Sequence, residues 1–333
     1  MRGIGFKIVM SKNQRGIALL TVLWVLTVLM VIVFSFSYMA RTEALSTLSF
    51  KEGMEKRFLA EAGVERGILE LFYRRVNINK VLPEDLEVWK TDGSPYSGQV
   101  GDGGYSVKIF DESGRLYLNA PPEQLEQLLR NLIGNLGFEG TTLDTIVDSI
   151  LDWKDKDDLH RLHGAESDYY QSLPSPYKAK NSNFDTLEEL LLVKGVTREL
   201  LYGAGKQKGL IDFLTVHGKT NKININAASR EVLLAVPGMT ADMVEEIITF
   251  RQKQEIKNIQ EIGGTVAKNQ ALILPHITVG QGNTFTIESS GYREKPQSGY
   301  AVRAIVTLLA NSQYKILYYK TPVTLKQDET ASQ

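Results

Sequence analysis

The chain has 333 residues, which is enough for two domains at roughly 150 residues each. It carries 38 Lys and Arg against 39 Asp and Glu, a formal net charge of −1. This balance argues against a protein that coats nucleic acid, because such proteins usually carry a strong basic excess. Cysteine is absent, which excludes thiol catalysis, Cys-ligated zinc, iron–sulfur clusters and disulfides.

The N-terminal segment is basic and then strongly apolar. Residues 1–16 contain Arg and Lys but no acid, and residues 17–40 contain no charge at all. A bilayer core needs about 20 apolar residues, so residues 17–40 are predicted to span a membrane. Because basic flanks stay in the cytoplasm, we expect a single pass with the N-terminus in the cytoplasm and the bulk outside it.

Three fates of this segment are compatible with its sequence. It could be a secretory signal peptide cut after the apolar run, an uncleaved anchor, or a prepilin cut before the run. The tripeptide Gln14-Arg15-Gly16 directly precedes Ile17 and resembles a type IV prepilin cleavage site. A peptidase that cut between Gly16 and Ile17 would leave the membrane span in place.

The helix is expected to continue beyond the membrane. Residues 41–73 contain no Pro, and their apolar residues recur at helical spacing at Ala44, Leu45, Leu48, Phe58, Ala62, Leu69 and Phe72. From Ile17 to Tyr73 the helix would be ~85 Å long at about 1.5 Å per residue. Residues 60–67 are rich in Ala and Gly, and we expect this small face to meet a sheet or another helix.

A β-hairpin is predicted after the stem helix. Residues 83–104 are rich in Gly and Pro, which predicts a loop. Tyr105–Phe110 alternates like a half-buried strand, Asp111–Gly114 is a predicted turn, and Leu116–Asn119 is the predicted returning strand.

A helical block follows the hairpin, and strands return near the end. Helical spacing occurs at Glu123–Leu136, Thr142–Trp153, Leu187–Leu192, Arg198–Tyr202, Ser229–Val236, Ala241–Gln252 and Asn258–Gly263. Strand-like segments are Thr284–Ser289, Tyr300–Leu309 and Tyr314–Tyr319. The predicted fold class is α+β, with a transmembrane stem helix packed on a small antiparallel sheet and a large all-helical domain inserted between strands.

Two acidic loops, 152–158 and 166–168, are candidates for a cation site. Hard cations such as Ca²⁺ take six to eight oxygen ligands, and alternating Asp residues in a bent loop can aim at one point. The predicted ligands are Asp155, Asp157, Glu166 and Asp168. The spacing is not that of an EF-hand, and a solvated acidic loop fits the same residues equally well.

The residues around these loops have more ordinary explanations. Asp152 is expected to cap or support the end of its helix. His160 and His163 form an H-x-x-H pair without the Glu of an H-E-x-x-H motif, so we expect them on a surface loop outside the site. No Ser-His-Asp or paired-carboxylate arrangement can be assigned, and an enzyme is not expected.

Residues 184–196 and 223–251 resemble helix–hairpin–helix modules of DNA-binding proteins. In the second copy Thr240 replaces the second Gly of the hairpin core, whose backbone amides would hold a phosphate. The helix after it carries acids that repel phosphate, at Asp242, Glu245 and Glu246. A structural hairpin is therefore favoured over a DNA contact, and no nucleic-acid partner is expected.

Taken in order, these motifs resemble the K-type minor pseudopilins of bacterial type II secretion systems. The segments that carry the resemblance are Arg15–Thr21, Asp111–Asn119, Leu151–Trp153 with the acids after it, Gly164–Tyr170, Glu189–Gly195 and Asn224–Ala228. The resemblance implies a pilin-like fold with an inserted helical domain and a structural Ca²⁺ in the head. It implies cleavage by a prepilin peptidase, a position in the inner membrane with the bulk in the periplasm, and a place at the tip of the pseudopilus. Its partners there would be the I- and J-type minor pseudopilins and the major pseudopilin.

This resemblance divides the chain as follows: a prepilin leader at 1–16, the membrane and periplasmic parts of the stem at 17–40 and 41–73, a pilin-like domain at 74–121 and 279–320, the inserted helical domain at 122–278 and a disordered tail at 321–333. Pilins typically carry Glu at mature position five, which pairs with the N-terminal amine of the subunit above. Here that position is Thr21, which is consistent with a subunit that has none above it. A tip pilin of a type IV pilus and a membrane-anchored DNA-binding protein remain the alternatives.

Overall fold

The computed structural model describes residues 14–78, 80, 88–205, 207–218, 222–294 and 299–325. Residues 1–13 of the predicted leader and 326–333 of the predicted tail lie outside the described residues. Residues 321–325 of that tail are described, and the Val323 amide donates to the Ala301 carbonyl at 3.0 Å. The expected disorder therefore does not begin at residue 321.

The stem is one continuous helix, α1, over Gln14–Asn77. Its segment from Ile17 is the one stretch, among the residues described, that is long and apolar enough to cross a membrane. Within that stretch the Thr21 hydroxyl donates to the Ile17 carbonyl at 2.9 Å, so this polar group finds its partner inside the helix. The prediction of a helix through residues 17–73 is confirmed.

The described chain divides into two compact units, residues 1–56 and 57–333. In the second unit, five antiparallel strands form one sheet in the order β1-β2-β7-β8-β9. These strands are β1 (Asp92–Val100), β2 (Gly103–Asp111), β7 (Thr284–Tyr292), β8 (Tyr300–Leu308) and β9 (Tyr314–Lys320). The strands predicted at 105–110, 284–289, 300–309 and 314–319 are confirmed, as is the α+β class.

The small residues of α1 pack against the sheet, as predicted. Ala60, Val64 and Ile68 are buried in one apolar core with the inward side chains of β2, β7 and β8. Between them, a Cβ added at Gly63 would lie 2.2 Å from Ser289 Oγ and 3.0 Å from Val107 Cγ2. The glycine therefore sets how closely the helix approaches the sheet.

Four of the apolar residues that predict an amphipathic helix are exposed. Leu45, Leu48, Phe58 and Leu69 are between 51% and 62% exposed. The apolar spacing that predicts an amphipathic helix thus marks a surface row. The row that faces the sheet also includes Val64, Ile68 and Leu71, which the predicted spacing does not single out.

The predicted hairpin is wrong in its partners. β1 lies within the predicted loop 83–104, at the sheet edge where a Pro such as Pro95 is tolerated. The hairpin partner of β2 is β1. Residues 116–117 form β3, which pairs in parallel with β4 (Leu214–Thr215) far along the chain.

The chain leaves the sheet after Asp111 and returns at Thr284, and we call residues 112–283 the inserted region. Its α-helices are α2 (Pro122–Asn135), α3 (Gly140–Lys154), α4 (Ser167–Gln171), α5 (Arg198–Tyr202), α6 (Arg230–Ala235), α7 (Ala241–Lys253), α8 (Gly263–Val266) and α9 (Gln270–Ile273). The segments Leu187–Leu192 and Ile259–Ile262 are 3₁₀ turns. Besides the expected helices, the region contains a short parallel pair of β5 (Ile223–Asn224) with β6 (Ile277–Thr278).

Two buried acids join the sheet to the inserted region. Asp111 Oδ2 accepts from Asn224 Nδ2 at 3.2 Å and from the Gly282 amide at 3.0 Å. Glu112 accepts from Thr215 Oγ1 and, at 2.7 Å, from Thr286 Oγ1. Burial raises the pKa of Asp111, and its hydrogen bonds oppose that shift. The chain's exit and return points are thus held together by paired polar groups rather than by apolar packing.

Candidate metal centre in the inserted region

Three carboxylates from different parts of the inserted region meet at one point. Asp152 lies in the last turn of α3, Asp155 follows the end of that helix, and Glu166 directly precedes α4. One oxygen from each lies within 4.8 Å of the others. Among the described residues, this is the group of acids or histidines close enough to hold a metal ion.

The local sequence explains how these groups converge. The Asp155 amide still donates to the Leu151 carbonyl, so Asp155 remains attached to the end of α3. The turn back requires Gly164, where an added Cβ would lie 1.8 Å from Asp152 Oδ2. Lys194 Nζ donates to the Gly164 carbonyl at 3.0 Å and holds the returning strand of the loop.

Asp152 is fully buried and well supplied with hydrogen bonds. Its Oδ2 accepts from the amides of Arg161 at 3.1 Å and Ala165 at 3.0 Å. Its Oδ1 accepts from Arg161 Nη1 at 2.8 Å, and the same nitrogen donates to Asp155 Oδ2 at 3.0 Å. Burial raises the pKa of Asp152, and the bonds from Arg161 lower it.

Glu166 is buried without any such partner. Its side chain is 1% exposed, and neither carboxylate oxygen has a hydrogen bond. Burial, reinforced by the charges of Asp152 and Asp155, raises the pKa of Glu166 to about 8. Asp155 Oδ1 is also buried without a partner. Buried polar atoms are normally paired, so three unpaired carboxylate oxygens at one point fit a cation that no hydrogen-bond donor replaces.

Asn181 carries a further buried oxygen without a hydrogen-bond partner. Asn181 has a positive φ of 49°, and its amide donates to the Trp153 carbonyl at 3.0 Å. Its Nδ2 donates to the Asp157 carbonyl at 2.9 Å, while its Oδ1 is buried without a partner. The residues present, three carboxylates and one amide oxygen, are the hard ligands that Ca²⁺ takes.

The structure brings two of the four predicted ligands together. Asp155 and Glu166 belong to the group, whereas Asp157 and Asp168 are exposed and lie outside it. Asp157 Oδ1 accepts from the Leu159 amide at 2.9 Å, and Asp168 Oδ1 accepts from its neighbouring Tyr169 amide at 2.7 Å. Both carboxylates are engaged in local turns instead, so their assignment as ligands is corrected.

Neither Asp152 nor Asn181 is among the predicted ligands. Asp152 was predicted to cap or support the end of its helix; its carboxylate accepts from two amides of the following loop and belongs to the group. Nothing in the spacing points to Asn181, which lies 24 residues from the Asp157 carbonyl it contacts. His160 and His163 lie outside the group, as expected.

The second predicted motif is a structural hairpin in this fold. The turn between α6 and α7 contains Gly238, whose carbonyl accepts from Asn269 Nδ2 at 2.6 Å. A Cβ at Gly238 would lie 3.0 Å from that of Leu272, so α9 and the turn before it cover the hairpin. Thr240 caps α7, and Glu245 pairs with Arg230 at 2.7 Å. The contacts of this hairpin are therefore made within the protein itself.

Comparisons with known proteins agree on one family. Residues 75–203 match the family model described as type II secretion system (T2SS), protein K. Type II secretion system protein K of Pseudomonas aeruginosa strain PAO1 is 27% identical over 263 residues, which are 74% of this chain and 74% of that protein. Putative type II secretion system protein K of Escherichia coli K12 is 25% identical over 203 residues, 57% of this chain and 61% of that protein.

A solved structure shares the fold. It is the crystal structure of the GspK–GspI–GspJ complex from the type 2 secretion system of enterotoxigenic Escherichia coli, and the matched chain has a TM-score of 0.59 at 18% identity. The match covers 84% of this chain and 100% of the other. The family model, the relatives and the solved structure therefore agree that this chain is similar to type II secretion system protein K.

Proposed function

We propose that this chain is the minor pseudopilin that stands at the tip of the periplasmic pseudopilus and initiates its assembly for protein export across the outer membrane. Its similarity to type II secretion system protein K supports a role in a type II secretion system. The observation that carries the proposal is the architecture itself. One long helix is apolar at its start and packed on a five-stranded sheet at its end, and the sheet is interrupted by a large inserted region.

The surface of α1 supports assembly with similar chains. Phe58, Leu69 and Val76 are 59%, 62% and 63% exposed, although they lie in the part of the helix that packs on the sheet. Exposed large apolar residues in a row mark a protein contact. We infer that neighbouring stem helices cover them. The solved relative was crystallised with GspI and GspJ, so the I- and J-type minor pseudopilins are the proposed partners, with the major pseudopilin below them.

The N-terminus is proposed to be processed on the cytoplasmic side of the inner membrane. A prepilin peptidase would cut between Gly16 and Ile17 and leave α1 as a single span with the bulk in the periplasm. Thr21, whose hydroxyl is satisfied within the helix, would take the place of the usual Glu at mature position five. No carboxylate would then be left unpaired at the top of the assembly.

The acidic group is proposed to bind a structural Ca²⁺. Asp152, Asp155 and Glu166 would supply carboxylate oxygens, and the Asn181 side chain would supply an amide oxygen. The ion would add the positive charge that the unpaired Glu166 oxygens lack. The exposed Asp157 and Asp168 would strengthen the negative field around the site without touching the ion.

Deletion of the gene tests the proposed function. We expect loss of type II-dependent secretion and of pseudopilus formation, both restored by the wild-type chain. Mass spectrometry of the chain extracted from membranes should find an N-terminus at Ile17, and Gly16→Trp should block processing. A mature N-terminus beyond Ala40, or normal secretion in the deletion strain, would refute the proposal. A salt-dependent DNA shift by the wild-type chain would favour the DNA-binding alternative instead.

A further inference from the structure

Arg161 places a fixed positive charge inside the acidic group. Its Nη1 donates to Asp152 Oδ1 at 2.8 Å and to Asp155 Oδ2 at 3.0 Å, and its side chain is only 30% exposed. Its own amide also donates to Asp152 Oδ2 at 3.1 Å. Asp152 therefore binds both the backbone amide and the guanidinium of Arg161.

The oxygens that Arg161 uses differ from those left unpaired. It occupies one oxygen of Asp155, while the other oxygen of Asp155 and both oxygens of Glu166 are buried without partners. A cation can therefore bind the free oxygens while the arginine keeps its place. Holding one oxygen of Asp155 also orients the carboxylate, so that its second oxygen stays available.

The three carboxylates and the Arg161 guanidinium together set the net charge of the site. When an ion binds, all three carboxylates must be ionised and contribute −3, and the guanidinium, which stays protonated in proteins, contributes +1, leaving −2. The nearby Lys154 ammonium donates to the carbonyls of Leu118 and Ala120 and does not pair with these acids. A divalent ion would neutralise this net charge, whereas a trivalent ion would leave the group positively charged. Without the guanidinium the three carboxylates would match the charge of a trivalent ion instead.

We propose that Arg161 is a specificity-determining residue that remains bound to Asp152 and Asp155 when the ion binds and matches the site to a divalent ion. The inference rests on the calcium site proposed above. It assigns a role to a residue that is not a ligand, and Arg161 acts through the two carboxylates that it positions. The competing possibility is that Arg161 occupies the ion's place and is displaced on binding.

The ratio of affinities for Ca²⁺ and Tb³⁺ separates these two possibilities. We would measure both by calorimetry on the full-length chain in detergent, with Tb³⁺ also followed by luminescence sensitised by the adjacent Trp153. In Arg161→Gln, we expect the preference for Tb³⁺ over Ca²⁺ to rise about tenfold or more, because the lost charge repels a trivalent ion more strongly. Arg161→Lys keeps the charge and should keep the wild-type ratio.

An unchanged ratio in Arg161→Gln, with both affinities raised equally, would show that the arginine is displaced and would overturn the inference alone. Absence of Ca²⁺ binding by the wild-type chain would overturn the calcium site and the inference together. A crystal structure of the wild-type chain with Ca²⁺ gives a test that needs no variant. The inference predicts that Arg161 Nη1 stays within hydrogen-bond distance of Asp155 while the ion contacts Glu166, and a guanidinium turned out to solvent would contradict it.

Discussion

The sheet and the inserted region differ in what fills their interiors. The core between α1 and the sheet is mainly apolar and closed by small residues on the helix. The inserted region has a larger apolar core, but beside it lie the buried carboxylates of Asp152 and Glu166. Apolar packing needs no ligand, whereas an unpaired buried carboxylate opposes folding until a cation reaches it. We therefore expect the sheet with α1 to need no ligand for stability, and the inserted region to gain stability from an ion.

The largest expected effect breaks the packing of the helix on the sheet. Gly63→Val should lower the free energy of unfolding by about 3 kcal/mol, because the new side chain would overlap Ser289 and Val107. Chemical denaturation of the full-length chain in detergent measures this. Gly53→Val is the matched control, since no atom lies within 4 Å of a Cβ added there. Equal losses in the two variants would show that helix propensity, rather than packing, causes the effect.

The next largest expected effect is the gain in stability when Ca²⁺ binds. At a Ca²⁺ concentration of about 100 times Kd, binding should stabilise the wild-type chain by about 2.7 kcal/mol relative to EDTA. Glu166→Gln should abolish most of this gain, whereas Asp168→Asn should keep it, because Asp168 is exposed and outside the group. Thermal melts with and without Ca²⁺ measure the difference. Equal loss of the gain in both variants would point to a diffuse acidic surface rather than a site.

The pH dependence of stability in EDTA tests whether Glu166 is buried without a partner. The pKa of Glu166 is raised to about 8, so the folded chain keeps a proton that the unfolded chain releases near pH 4.5. Stability should therefore fall as pH rises from 4.5 to 8, with a slope of at most about 1.4 kcal/mol per pH unit. Glu166→Gln should flatten this fall. A wild-type curve that rises over the same window would contradict the burial of an unpaired Glu166.

The smallest effect tests the hairpin between α6 and α7. Thr240 Oγ1 accepts from the Met243 amide at 3.4 Å, and its replacement by Ala should cost about 1 kcal/mol. Thr249→Ala, at an exposed position within α7, should cost nothing measurable. Denaturant titration of both variants measures the contrast. If Thr240→Ala has no effect on stability, the threonine has some role other than closing a structural turn.

The fold was largely predictable because its main elements follow simple periods. Enrichment in Thr, Ile, Val and Tyr predicts β7 and β8, and the long stretch without Pro predicts α1. β1 was missed because Gly and Pro dominate it, which only an edge strand tolerates. The partner of Leu116 could not be predicted either, since Leu214 lies 98 residues away and short parallel pairs leave no turn signal.

The sequence predicts where the acidic group lies but not which residues form it. Clustered acids point to the two loops, and Glu166 and Asp155 do meet. Which acids turn inward depends on where α3 ends and on how Gly164 lets the loop return over Asp152. The contributions of Asn181 and Arg161 arise from tertiary contacts, and no local pattern in the chain marks them.

Co-expression with its proposed partners tests directly whether this chain is the tip subunit of a pseudopilus. The full-length chain would be produced with the I- and J-type minor pseudopilins of the same organism, extracted from membranes in detergent and sized by light scattering. We expect a complex with one copy of each chain, weakened by Leu69→Asp on the exposed row of α1. If the I- and J-type chains pair with each other while this chain elutes alone, it is not the tip subunit of a pseudopilus.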